Sequence, residues 1–198
     1  MPDDRGQAYM LEALIAGLLV LSALLFALQV TAVTPLSAST SSQHIENQQK
    51  SMSEGALAAA ADAGALKPGV STIDENGTYY GEGGRGTYIN TFPEDEFGFG
   101  DILNRTFSGQ GIAVSVDIRY QDGTQSWETA QMVERGSPSD HAVTATRTVT
   151  LFDDDPIYDE AGNEIGTWGD DDPLDIGDYN EDSDVYTVVV VEVTVWRM

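Results

Sequence analysis

The 198-residue chain contains no cysteine. Disulfides, iron–sulfur clusters and thiol catalysis are excluded, so an exported domain would hold together by its core alone. Basic residues are scarce: 9 Lys and Arg stand against 33 Asp and Glu, and the only lysines are Lys50 and Lys67. The resulting formal net charge of −24 repels nucleic acid and anionic lipid headgroups, which disfavours both as partners. At molar salt the Debye length falls to about 3 Å, and the spread of acidity over the whole domain is most simply a halophile's. Catalytic motifs are missing too. There is no G-x-S-x-G, no H-E-x-x-H and no phosphate-binding loop; the Gly81–Gly86 stretch lacks the strand-then-helix context for one. The histidines, His44 and His141, sit among polar residues. Ser139-Asp140-His141 carries triad residue types, but adjacent residues cannot form a triad, which is assembled across a fold. These absences predict a non-enzymatic protein, and no internal repeat is visible.

What is present is concentrated at the start. A polar leader, residues 1–6, runs into Gln7–Glu12 and then an apolar run, Ala13–Leu28, with no charge and one hydroxyl. From Tyr9 to Val33 the only ionisable groups are the Tyr9 phenol and Glu12. A helix of that length covers a hydrocarbon core of about 30 Å. Three readings apply: a secretory signal cut near Val30-Thr-Ala32, a plain signal anchor, or a segment retained after removal of the short leader.

Beyond it, Pro35 and Ser37–Ser42 predict an interruption or kink. A helical pattern resumes from His44 to Leu66, with Ile45, Met52, Ala56, Ala59, Ala60, Ala63 and Leu66 on one face, and Lys67-Pro68-Gly69 ending it. Period-2 alternation marks Ile112–Tyr120 as a half-buried strand, turned by Asp122-Gly123 into a partner spanning residues 124–133. Residues 143–152 form a Thr-rich strand, 157–168 a short hairpin around Ala161-Gly-Asn163, and 97–108 a short helix. Val185–Trp196 reads as a central strand, apolar on both faces in its first half. The fold class is α+β: a long N-terminal apolar helix, then an amphipathic helix packed on a small antiparallel sheet. The predicted divisions are leader 1–6, transmembrane helix 7–34, kink and helical extension 35–66, and acidic extracytoplasmic domain 67–198.

Arg5-Gly6-Gln7, followed by Glu12 inside an apolar helix, resembles the class III leader of type IV pilin-like and pseudopilin-like proteins, most closely those of halophilic archaea. The motif covers residues 5 to about 34; the helix-then-β-domain layout is a looser likeness over the whole chain. The resemblance implies cleavage by a prepilin peptidase between Gly6 and Gln7, with the apolar helix kept. Glu12 would be the sixth mature residue, where the bacterial pattern has glutamate fifth. In that family the glutamate neutralises a neighbouring subunit's N-terminal amine; on physical grounds alone, Glu12 equally reaches the headgroups near the helix start. Also implied are other pilin-like subunits, an assembly ATPase and a platform protein as partners, with the membrane crossed once. Ala16, Gly17, Ala23 and Ala27 are small enough for close helix packing.

Two further features carry candidate sites. Between Asp153 and Asp184 lie 14 carboxylates and no Lys or Arg. Asp178, Asn180, Asp182 and Asp184 alternate like the first half of a calcium loop, but Ser183 and Val189 stand where its Gly and Glu belong. Bound Ca²⁺ or Mg²⁺ is one reading there and a solvated acidic loop the other. Asn76-Gly-Thr78 and Asn104-Arg-Thr106 are N-glycosylation sequons. Arg5 and the starting amine are the positive charges before the membrane while the bulk of the negative charge follows it, which predicts an outward domain. With the resemblance, the sequence implies a non-catalytic structural subunit, a minor pilin or pseudopilin, of an archaeal type IV pilus-like surface filament or secretion system. The alternative is a single-pass anchored surface domain that binds a divalent cation or a protein without assembling.

Overall fold

The computed structural model describes residues 3–81, 86–178 and 182–198, with the side chains of 3–5 and 30–42 left aside. The chain divides into two compact units, Met1–Ile45 and Glu46–Met198. One helix, α1 (Asp3–Asp62), supplies residues to both. Pro35 does not end it: a single proline deletes one N–H from a ladder held on either side, which bends helices more readily than it stops them.

In the first unit the segment Gly6–Gln29 is long and apolar enough to cross a membrane, and none of it is buried. In the second, α1 turns Gln49, Ser53, Ala56, Leu57 and Ala60 inward, a stripe at helical spacing. Ala59 and Ala63, expected on that face, are exposed instead. The helix stops earlier than Lys67-Pro68-Gly69. Gly64, at φ 70°, closes it through Gly64 N–H to Ala61 O (3.0 Å) and Ala65 N–H to Ala60 O (2.9 Å), the paired bonds of a glycine C-terminal cap. Lys67-Pro68-Gly69 lies inside a short helix, α2 (Leu66–Ser71), where Pro68 falls in the first turn and forfeits no bond.

The strands are β1 (Tyr88–Ile89), β2 (Ile112–Gln121), β3 (Trp127–Glu134), β4 (Val143–Phe152), β5 (Pro156–Tyr158), β6 (Glu164–Thr167) and β7 (Val185–Arg197); α3 (Phe99–Phe107) and α4 (Trp168–Asp171) complete the elements. The main sheet has the order β1-β3-β2-β7-β4, and β5 pairs with β6 separately. It is mixed, because β1 runs parallel to β3; the other pairings are antiparallel. β7 is central as expected, flanked by β2 and β4.

Most of the hydrophobic cluster lies on one side of this sheet. Phe99, Leu103 and Phe107 of α3 and Leu57 of α1 cluster with Val114, Ile118, Val191 and Val193. Trp168 is fully buried and donates its indole N–H to Ser71 Oγ at 3.0 Å. Burial of the strands departs from simple alternation. β2 is buried on both faces from Ile112 to Val116; β7 is buried on both faces from Val193 to Trp196, whereas in its first half Val188 is exposed.

Candidate functional site

Asp carboxylates build the turns of the acidic unit. An aspartate side chain accepts hydrogen bonds from backbone N–H groups two to five residues ahead, satisfying donors that a tight turn leaves over. Asp95 does this for Phe97, Phe99 and Gly100 at 2.8–3.1 Å, seating the start of α3. Asp122 takes Thr124 and Ser126 (2.9 and 2.8 Å), so the β2–β3 connection is a five-residue loop rather than a two-residue Asp-Gly turn, and Gln125 adopts the positive φ. Asp172 holds Ile176 and Gly177, each at 2.9 Å, and Asp159 holds Asn163 at 2.8 Å. The Thr124 and Ser126 bonds hold the Asp122 carboxyl below the usual range, as the Asn163 bonds do for Asp159.

This alters the reading of residues 153–184. Part of that acidity is turn architecture: Asp155, Asp159, Asp171 and Asp172 each accept backbone N–H groups around β5, β6 and α4. Lys67 Nζ meets Asp155 Oδ2 at 2.6 Å and lies 4.5 Å from the Phe152 ring centre. Asp153 is different. Its Oδ1 is shielded from solvent and finds no hydrogen-bond partner among the described residues. Desolvation, then Asp178, Asp184 and Asp154, push its carboxyl upward. Of the candidate calcium-loop residues, Asp178, Asp182 and Asp184 are described and Asn180 lies outside the described residues. Among the described residues no three His, Cys, Asp or Glu side chains converge as a metal site.

Ser139, Asp140 and His141 form an exposed turn before β4; His141 Nδ1 pairs with Glu46 Oε1 on α1 at 3.0 Å. Residues 82–85 of the Gly81–Gly86 loop lie outside the described residues.

On the apolar helix, Glu12, Ala16, Ala23 and Ala27 fall within about 60° of one another at 100° per residue, and Gly17 lies about 100° from Ala16. Glu12 and Ala16 share a face with Gln7, Ala8, Leu11 and Ile15. All of these residues are exposed.

The sequence reading missed one surface. On the sheet face away from the core, Gln121, Gln125, Trp127, Thr148, Val188 and Val190 line a hollow of about 750 Å³. Trp127 is 56% exposed and Val188 46%, and Arg119 stacks 5.4 Å from the Trp127 ring centre. The register, Val190 opposite both Arg119 and Thr148, puts these residues on one face; that pairing is invisible until the strand order is known.

The chain belongs to a family of unknown function, DUF7288, whose model matches residues 5–195. No curated protein and no solved structure matches it.

Proposed function

For this member of that family we propose the role of a membrane-anchored, pilin-like structural subunit: the apolar half of α1 holds it in the bilayer and packs against other copies, and the acidic unit is displayed outside. One observation carries the reading. A 24-residue apolar stretch with no buried residue continues within the same helix into the core stripe Ala56, Leu57 and Ala60. Exposed side chains of that kind need a bilayer or other apolar helices around them. The family match spans both parts, which supports treating anchor and domain as one functional object.

In this reading a prepilin peptidase cuts between Gly6 and Gln7. Glu12 then sits near the new amine, where a carboxylate in hydrocarbon, costly by about 2.5–3.5 kcal/mol, finds its counter-charge on a neighbour. An assembly ATPase and a platform protein would drive polymerisation, and the acidity suits high salt.

The test is the intact mass and N-terminal sequence of the protein from native membranes, with disulfide trapping of an Ala23→Cys variant in an otherwise cysteine-free chain. A chain starting at Gln7 that forms Ala23→Cys dimers is expected. A chain starting at Met1 without dimers would leave a plain anchor, and a start after Ala32 would end the filament reading.

A further inference from the structure

The two sequons are not equivalent in the fold. We propose that Asn76, and not Asn104, accepts an N-linked glycan; this rests on the proposed outward placement of the acidic unit. An enzyme that reads Asn-x-Thr must meet the asparagine amide and the threonine side chain from one side. Residues two apart on a helix do not face each other, and Asn104 and Thr106 both lie in α3.

Asn76 and Thr78 instead sit exposed in a turn held by Asp74. The Asp74 carboxylate accepts the N–H groups of Asn76 and Thr78, each at 2.9 Å, and the Thr78 hydroxyl at 2.8 Å. Asp74 N–H to Thr78 O (2.9 Å) and Gly77 N–H to Asp74 O (3.0 Å) close it. Gly77 has φ 72°, and a Cβ there would sit 2.3 Å from Pro173 O, so the turn backs onto the body of the domain and presents Asn76 outward. A glycan on the Asn76 amide leaves every backbone bond of the turn in place.

The donor class is a glycan activated as a lipid-linked phosphate ester. The Asn76 amide nitrogen bonds to sugar C1, the C1–O bond to phosphate breaks, the lipid phosphate leaves with the electron pair, and the amide proton passes to base; nothing is oxidised or reduced.

The experiment is intact mass and peptide mapping of the full chain from membranes of the organism that makes it, beside N76Q and N104Q variants, with protease added outside intact cells. Expected are added mass on the wild type, complete loss of it in N76Q, and wild-type mass in N104Q. A bare Asn76 on a domain cut by external protease would overturn the glycan alone. A bare Asn76 on a protected domain would overturn the outward placement with it. Added mass lost in N104Q and kept in N76Q would reverse the assignment.

Discussion

The two halves of α1 solve opposite problems with the same backbone. From Gly6 to Gln29 every described side chain faces outward and nearly all are apolar; from Gln49 to Ala60 a narrow stripe is buried, and Lys50, Ser51 and Glu54 face solvent. The first half is complete only with something around it, while the second is complete within its own unit. Hydrophobicity in this chain is therefore left exposed at one end and packed into a core at the other. Substitutions that separate the two are the sharpest checks.

The largest expected effect is in the packed unit. Trp168 is fully buried beside Tyr186, with ring centres 6.1 Å apart, and bonded to Ser71. Trp168→Ala should cost about 3–5 kcal/mol of stability, measured by urea unfolding at high salt, while leaving the membrane-bound fraction unchanged. The converse is Leu19→Arg. A charge at the centre of an apolar helix costs about 2.5–3.5 kcal/mol of insertion, so the chain should shift to the soluble fraction on fractionation with its unfolding midpoint unaltered. If either change moves both readouts, the two halves are not independent.

A smaller effect tests the turns. Asp95→Ala strands three backbone N–H groups at the start of α3 and should cost about 1–2 kcal/mol. An exposed aspartate that merely adds charge, such as Asp140, should change stability by no more than about 0.5 kcal/mol when replaced by Ala.

How far the sequence alone reached follows the same division. The apolar helix, β2, β4, the β5–β6 hairpin and the central place of β7 were legible because periodicity or a long apolar run states them locally. The end of α1 was misread at Lys67-Pro68-Gly69 because Pro and Gly look like a stop, yet Pro68 suits the first turn of α2 and Gly64 does the stopping. β1, two residues long and paired with β3 alone among the described residues, has no local signal. The open face around Trp127 and Val188 depended on strand order and register. The acidic run reads as solvated or metal-binding because an Asp at the hub of a turn and an Asp in water look alike until its backbone partners, such as Ile176 and Gly177 for Asp172, are placed.

The finest contrast is between aspartates that build turns and one that sits in the sheet. Asp117 lies opposite Glu192 on β7, and its carboxyl is pushed above the usual range by burial first, then by Glu192 and Glu134, against the hydrogen bond with Gln131. A raised value means that the folded state favours the protonated form. The stability this contributes is present below the ordinary value of 3.8 and is lost as pH rises through the raised one. Asp74 has the reverse sign: burial opposes it, but the Thr78 and Asn76 bonds prevail and its carboxyl falls below that value, so its contribution is present above 3.8 and is lost as pH drops through the lowered one. Asp117→Asn keeps an acceptor for Gln131 and removes the like-charge pair, and should stabilise the fold by about 0.5 kcal/mol at pH 7. Part of the repulsion is already relieved by Arg119, 3.6 Å from Glu192. In urea titrations the gain should be largest in low salt, shrink in molar salt as the charges are screened, and vanish by pH 3, where Asp117 is protonated in both states. A gain that persists at pH 3 would mean that the substitution acts through packing instead of charge.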